Sequence, residues 1–223
     1  MQTDNYRFKH FHMSIMLDDM QFGKTALSPG QSIPNTNIIN PDSSSIRLYD
    51  LLANKKATLI VTGSLTCPMT ISSLPTLNAL EEEFGKDISF TLLYVREAHP
   101  GKTYSQPQKL NQKITHANDL VHKYNPIFSI VIDDINGTLH HLLDSKPNSV
   151  HLINNKRVIL FQSLWAGDSK SLKIALDQIR KSSVVTETIS QKMMGPFIRS
   201  AGYMNEILKL ARHCPLFGFS DVR

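Results

Sequence analysis

The chain has 223 residues, 41% hydrophobic and 19% charged, enough for one full core with material left over at its ends. Its formal charge is +5, and seven Lys/Arg against three Asp/Glu from Arg180 onward place +4 of that in the last 44 residues. No nucleic-acid-binding signature accompanies this excess, and the first twenty residues contain no apolar stretch suited to a signal peptide or a membrane span, so neither nucleic acid nor membrane is an expected partner.

The only two cysteines, Cys67 and Cys214, are too few for a disulfide framework and fit a reducing compartment, so the expected location is the cytoplasm. Residues 28–46 are dense in Pro, Ser and Asn and read as loop, with one short strand at 37–39 and a helical turn at 47–53. Residues 58–62 (TLIVT) are an apolar, β-branched run, as in a strand buried on both faces and therefore central in its sheet. From Pro68 the apolar period changes to that of a helix, with Ile71, Leu74, Leu77, Leu80 and Phe84 on one face, a kink expected at Pro75, and an end at Gly85. A second buried strand at 88–95 follows, then a helix opened by Pro107 with the face Leu110, Ile114, Ala117 and Val121, and a third strand at 127–132.

Asp133 and Asp134 precede Asn136-Gly137 as turn residues, and residues 138–143 read as either a short helix or a strand. Asn154-Asn155 joins two strands as a hairpin, and Asp168 or Ser169 caps a last helix carrying Leu172, Ala175, Leu176 and Ile179. The order predicts an α/β protein of thioredoxin-like topology, a mixed but mostly parallel sheet with helices on both faces. The expected organisation is an N-terminal extension over 1–29, the thioredoxin-like domain over 30–183, and a basic tail over 184–223 with one helix around 203–211.

Ser64-Leu65-Thr66-Cys67-Pro68 stands where the first long strand gives way to a helix. A cysteine at a helix N-terminus meets unpaired N–H groups and the positive end of the helix dipole, which favour the thiolate, so Cys67 is a candidate nucleophile. Thioredoxins place a second cysteine three positions later; here Thr70 stands there, so the sulfur must react once and be regenerated by an outside thiol or by Cys214. Tyr94-Val95-Arg96-Glu97-Ala98-His99-Pro100 ends the neighbouring strand, which brings His99 and Glu97 towards Cys67. A histidine can lower the thiol pKa or donate a proton, and a carboxylate can orient it.

Together these two segments resemble the iodothyronine deiodinase family, a thioredoxin-fold group with a selenocysteine between Ser-Cys-Thr and Pro and a Glu-Ala-His-Pro motif at the strand end. The resemblance places Cys67 at the selenocysteine site, Leu65 where the family has an additional cysteine, and Glu97 and His99 at its acidic and histidine positions, and extends over residues 30–180. Sulfur in place of selenium makes a less acidic nucleophile. Peroxiredoxins share the fold, but Ile60 stands where their proline belongs, although Ser64 fits their hydroxyl position.

Pro147 resembles the cis-proline that faces the reactive cysteine in thioredoxin-fold proteins, with Asn148 and Ser149 beside it in the same pocket. His10, His12, His140, His141 and His151 have no carboxylate or cysteine at ligand spacing and read as surface histidines, so no metal is expected. Trp165 is expected to pack where the hairpin meets the last helix.

The functional expectation is a thiol-dependent oxidoreductase of deiodinase-like type, its partners a small-molecule electrophile and a thiol reductant. Cys67 attacks a halogen or a peroxide oxygen, His99 held by Glu97 moves the proton, Ser64 and Thr66 hydrogen-bond the sulfur, and Pro68 and Pro147 support the site. No bound cofactor is needed, and a homodimer is left open. The alternative is a non-catalytic thioredoxin-fold module that binds a protein or peptide through its basic tail.

Overall fold

A computed structural model of the chain describes residues 6–23, 26–192 and 194–203. From the N-terminus come α1 (Met13–Asp18), β1 (Asn37–Ile39), β2 (Ser45–Arg47), α2 (Leu48–Leu52), β3 (Ala57–Gly63), α3 (Pro68–Phe84), β4 (Ile88–Tyr94) and α4 (Leu110–Tyr124). There follow β5 (Ser129–Ile132), α5 (Thr138–Leu142), β6 (Val150–Asn154), β7 (Ile159–Ser163), α6 (Ser169–Arg180), β8 (Ile189–Ser190) and α7 (Met194–Ala201). The strands form one sheet in the order β2-β1-β5-β4-β3-β6-β7-β8.

β3 is buried along its whole length because both of its faces are covered. Leu59 and Val61 face the cluster built with α3, α4 and α6, while Ile60 faces the cluster of Leu48, Leu52, Leu139 and Leu143 contributed by α2 and the α5 region. A strand with no solvent face has no reason to alternate polar and apolar residues, which is why its sequence is a continuous apolar run. Parallel pairing of β3 with β4 in register Gly63↔Tyr94 ends the two strands side by side, and that alignment places the cysteine segment beside the Glu97-Ala98-His99 segment.

The sheet is mixed rather than mostly parallel: β3–β4, β4–β5 and β7–β8 pair parallel, whereas β1–β2, β1–β5, β3–β6 and β6–β7 pair antiparallel. The short strands β1 and β2 add an antiparallel edge beyond β5, which the alternating strand–helix order of the central part does not disclose. Residues 138–142 settle as helix, with Asp133 accepting from the amides of Leu139 and His140. Asp168 caps α6 by accepting from the amide of Ser171. α3 continues unbroken through Pro75, which lies on its exposed side. The helix expected around 203–211 and Cys214 lie outside the described residues, apart from Tyr203.

Candidate active site

Cys67 is the N-cap residue of α3, with extended backbone and Pro68 at the first helical position. Its side chain, 1% exposed, lines a cavity of about 390 Å³. Pro68 and Met69 from the start of α3, Ala98 and His99 from the loop after β4, and Pro147 and Trp165 from the loops flanking the β6–β7 hairpin form its base. Phe11, Met16, Asp19 and Met20 from the α1 region and Phe197, Ser200 and Ala201 from α7 cover it. Cys67, His99, Pro68 and Pro147 are thus brought together as the sequence predicts.

The electrostatics differ from the expectation. Burial pushes the Cys67 thiol up to about 11, and the Asp19 carboxylate adds to the rise. The Thr70 hydroxyl and the N–H groups of Thr70 and Met69 pull the other way without closing a cap hydrogen bond. The expected helix-end thiolate is therefore corrected to a thiol at neutral pH, because the two covering segments remove the water that would stabilise the charge and desolvation outweighs the helix terminus. Burial likewise holds His99 down to about 4, so its imidazole is neutral. Phe11 lies against the His99 ring with centroids 4.3 Å apart.

Glu97 does not hold His99. Completely buried, it turns inward, accepting from the Tyr94 hydroxyl at 2.5 Å, the Thr66 hydroxyl at 2.7 Å, the Thr66 amide at 3.2 Å and His116 Nδ1 at 2.9 Å. Because a carboxylate oxygen accepts, His116 carries its proton on Nδ1. The His99 amide donates to Thr66 Oγ1 at 3.1 Å, so the backbone of His99, not its ring, is what this network fixes. Ser64 and Thr66 do not reach the sulfur either: Ser64 Oγ accepts from the Ala98 amide at 3.2 Å, and Thr66 is committed to Glu97. Leu65, at the family's additional cysteine position, is fully buried in the core.

The peptide bond preceding Pro147 is trans, as are all those described, which corrects the cis expectation although Pro147 does face the cysteine cavity. Asn148 and Ser149 stand behind it and do not line the cavity. Asn148 Oδ1 accepts from the Ala166 amide, and Ser149 belongs to a buried chain in which Gln162 donates to His151 Nδ1, His151 Nε2 to Ser149 Oγ, and Thr62 Oγ1 to the Lys146 carbonyl. His151 and His140 are thus fully buried rather than at the surface; His140 bridges the Tyr6 hydroxyl and the Lys146 carbonyl.

Sequence reasoning missed Thr70 as the hydroxyl that hydrogen-bonds the sulfur, His116 and Tyr94 as partners of Glu97, and Phe11, Asp19 and Trp165 in the cavity wall. Tyr94 heads the strand-end motif and carried some signal. Thr70 was already in view three positions after Cys67, though not as a partner of the sulfur, and the remaining residues are joined to Cys67 only by tertiary structure.

A thioredoxin-like sheet with one cysteine at the start of its long helix, facing a proline loop and a histidine from the adjacent strand end, defines a thioredoxin-fold thiol protein. The peroxidoxin BcpB of Mycobacterium tuberculosis shares this fold at 12% identity and a TM-score of 0.53, over 70% of this chain and 97% of that one. A putative thiol:disulfide interchange protein DsbE of Chlorobium tepidum does so at 16% and 0.52, over 70% and 98%. The iodothyronine deiodinase profile matches residues 6–180, and the chain belongs to that family. The match reaches further towards the N-terminus than the motifs alone, taking in the α1 segment that covers the cavity.

The type II iodothyronine deiodinase of Aquarana catesbeiana is 27% identical over 154 residues, 60% of this chain and 55% of that protein. The type I enzyme of Xenopus laevis is 22% identical over 165 residues, 69% and 63% respectively. The chain spans about half the length of the curated relatives it matches. Among the described residues, no helix is long and apolar enough to cross a membrane.

Proposed function

We propose that this protein is a thiol-dependent oxidoreductase of deiodinase type, in which Cys67 removes a halogen from an aromatic substrate and an external thiol regenerates it. The observation that carries this reading is the shared cavity: Cys67 and His99 line one space of about 390 Å³ whose other walls are largely aromatic, Met and Pro side chains. Apolar walls of that kind suit an aromatic ring better than a hydrated peroxide.

With the thiol pushed up to about 11 and the imidazole held down to about 4, the resting pair is neutral. Neutral His99 takes the Cys67 proton as the sulfur attacks the halogen. The S–I bond forms, the C–I bond breaks with its electron pair on carbon, and the proton returned through His99 makes the C–H bond. A first external thiol displaces iodide as hydrogen iodide and leaves a mixed disulfide; a second restores the Cys67 thiol and departs as the oxidised reductant. The sequence as written needs no bound cofactor and suits a reducing compartment.

The test is iodide release from an iodinated phenol with dithiothreitol as reductant, run beside hydrogen peroxide as the rival electrophile. Wild type should release iodide, Cys67→Ser none, and His99→Ala about 100-fold less in kcat. Intact-mass analysis should find the adduct on Cys67. Full turnover by Cys67→Ser removes the proposal, and oxidation of Cys67 by peroxide with no iodide release from any aryl iodide replaces it with a peroxidase.

A further inference from the structure

Beside the Cys67 cavity, and built from two of the same segments of chain, lies a cavity of about 560 Å³ whose walls include Lys9 and His10 from the N-terminal segment and Pro100, Lys102, Ser105 and Gln106 from the loop after β4. Phe11 and His99, the adjoining residues of each segment, line the Cys67 cavity instead and stack with centroids 4.3 Å apart, so the two cavities meet across this ring pair. One buried side chain holds the two walls together. Gln106 Oε1 accepts from the Glu97 amide at 2.9 Å, and its Nε2 donates to the Phe8 and Glu97 carbonyls at 3.1 Å each. The Gly101 amide donates to the Tyr104 carbonyl at 2.9 Å and closes the loop into a turn. The cavity is therefore preformed.

Its charge has one sign. Residues 6–17 and 98–118, which supply both walls, contain Arg7, Lys9, Lys102, Lys109 and Lys113 and no aspartate or glutamate. Lys9 and Lys102 are exposed, and among the described residues neither makes a hydrogen bond or an ion pair, whereas Lys56, Lys173 and Lys192 pair with carboxylates. A concave basic wall free of carboxylates concentrates small anions. The Cys67 cavity next to it imposes the opposite requirement, because its largely apolar walls would strip the water from any charge that entered. Cys67 is the only cysteine among the described residues, so none of them offers a second thiol to resolve it.

We propose that the basic cavity is the docking site of the regenerating thiol, and that it selects a small anionic thiol, a cysteine-containing peptide with free carboxylates, over uncharged ones. This rests on the deiodinase-type reading of Cys67. The carboxylates remain with Lys9, His10 and Lys102, and only the uncharged CH₂–SH arm passes the Phe11–His99 pair into the apolar cavity. His10 directly precedes Phe11 and Pro100 directly follows His99, a step of about 3.8 Å in each wall, and a tripeptide spans about 10 Å, so one ligand reaches both cavities. The first thiol sulfur bonds the iodinated Cys67 sulfur while iodide leaves with the S–I electron pair and the thiol proton. The second attacks the reductant sulfur of the mixed disulfide; the S–S pair stays on Cys67, which takes up the second proton. Two thiols are oxidised to one disulfide and Cys67 returns to the thiol.

The test measures iodide release from an iodinated phenol by the full-length protein at pH 7.5 with glutathione or its diethyl ester, which carry the same thiol with the carboxylates free or blocked. The kcat/KM for glutathione should exceed that for the diester about tenfold at low salt, and the ratio should shrink in 0.5 M KCl. Lys9→Glu combined with Lys102→Glu, both at exposed positions, should bring the ratio to about one. Lys86→Glu combined with Lys170→Glu, the same change of net charge elsewhere on the surface, should keep it. Equal kcat/KM for the two thiols, a ratio untouched by the Lys9 and Lys102 changes, or turnover with dithiothreitol and none with glutathione overturns the assignment. Binding of S-methylglutathione to the Cys67→Ser protein by calorimetry separates this site from the reading beneath it. Such binding, weakened about tenfold by the Lys9 and Lys102 changes but with no iodide release by wild type and any thiol, would remove the deiodinase-type reading and the regenerating role while leaving an anion site; iodide release without such binding would remove the site and leave the reading.

Discussion

Thr66 Oγ1 donates to Glu97 Oε2 at 2.7 Å and accepts the His99 amide at 3.1 Å, so the residue before the cysteine joins the two chemical segments of the chain. Tyr94 and His116 close on the same carboxylate. Glu97→Ala leaves the Thr66 and Tyr94 hydroxyls and the His116 ring buried without their acceptor. At about 1 kcal/mol or more for each unsatisfied group, the loss should reach about 3 kcal/mol in urea unfolding. A change below about 1 kcal/mol would mean that this network does not hold the two segments together.

The state of the sulfur is open to direct measurement. With its pKa pushed up to about 11 from 9.0, Cys67 should react with iodoacetamide at pH 7.5 about 100-fold more slowly than a free thiol, before any steric factor. The linked effect on stability has a definite sign. The folded chain holds its proton more tightly than the unfolded one, so the contribution is present below pH 9 and is lost as pH rises through 11, by about 2 to 3 kcal/mol in full. Tyr6 and Tyr94, both also raised by burial, push the same way, so the comparison is with Cys67→Ala under identical conditions. A free-thiol alkylation profile would contradict the buried neutral thiol.

The fold was legible where burial is continuous in sequence. The TLIVT run of β3 and the three-to-four spacing of α3 need no tertiary knowledge, and the turn between them placed Cys67 correctly. Glu97 and His99 show where that reading stops: two positions apart at a strand end, they turn into different surroundings, one inward to Tyr94 and His116, the other under Phe11. A motif names both residues and cannot say which way each faces. The thiolate expectation failed for a related reason, since a helix terminus is visible in sequence whereas the α1 and α7 segments that desolvate it are brought over the sulfur from about 50 and 130 residues away. Asp19 and Trp165 sit in segments with no local pattern pointing to a site.

Acid should destabilise the protein through its buried histidines. Burial depresses His99 to about 4 and His151 to about 3, and holds His140 well below the usual imidazole range, so the unfolded chain takes up protons that the folded chain refuses once the pH drops below 6.5. The stability they contribute is present above 6.5 and is lost as pH falls through the folded values; for His99 the full loss is about 3 kcal/mol. Asp19, raised to about 6, runs in the opposite sense and offsets part of it. Urea midpoints should therefore fall steadily between pH 6.5 and 4. The ring proton resonances of these three histidines should stay fixed from pH 8 to 5, and titration of the His151 ring near 6.5 would disprove its burial in the Gln162–Ser149 chain.

The covering of the cavity by α7 predicts a gain of reactivity from a loss of contacts. Phe197 meets Trp165 edge to face with centroids 5.8 Å apart, and its helix is anchored independently by the Arg199 guanidinium on the Gly167 carbonyl and by Pro196 packed over Gly167. Phe197 is itself 39% exposed, so truncating it removes cover from the cavity while the anchors keep α7 in place. Phe197→Ala should cost about 1 kcal/mol, less than a fully buried Phe, because much of the ring is already in water. Water admitted to the cavity relieves the desolvation that dominates the Cys67 shift, so the thiol pKa should move from about 11 back towards 9.0 and alkylation should accelerate about tenfold or more at pH 7.5. An unchanged alkylation rate in a folded Phe197→Ala protein would show that access to the sulfur runs through the α1 side, past Phe11 and Met16, and that α7 does not gate it.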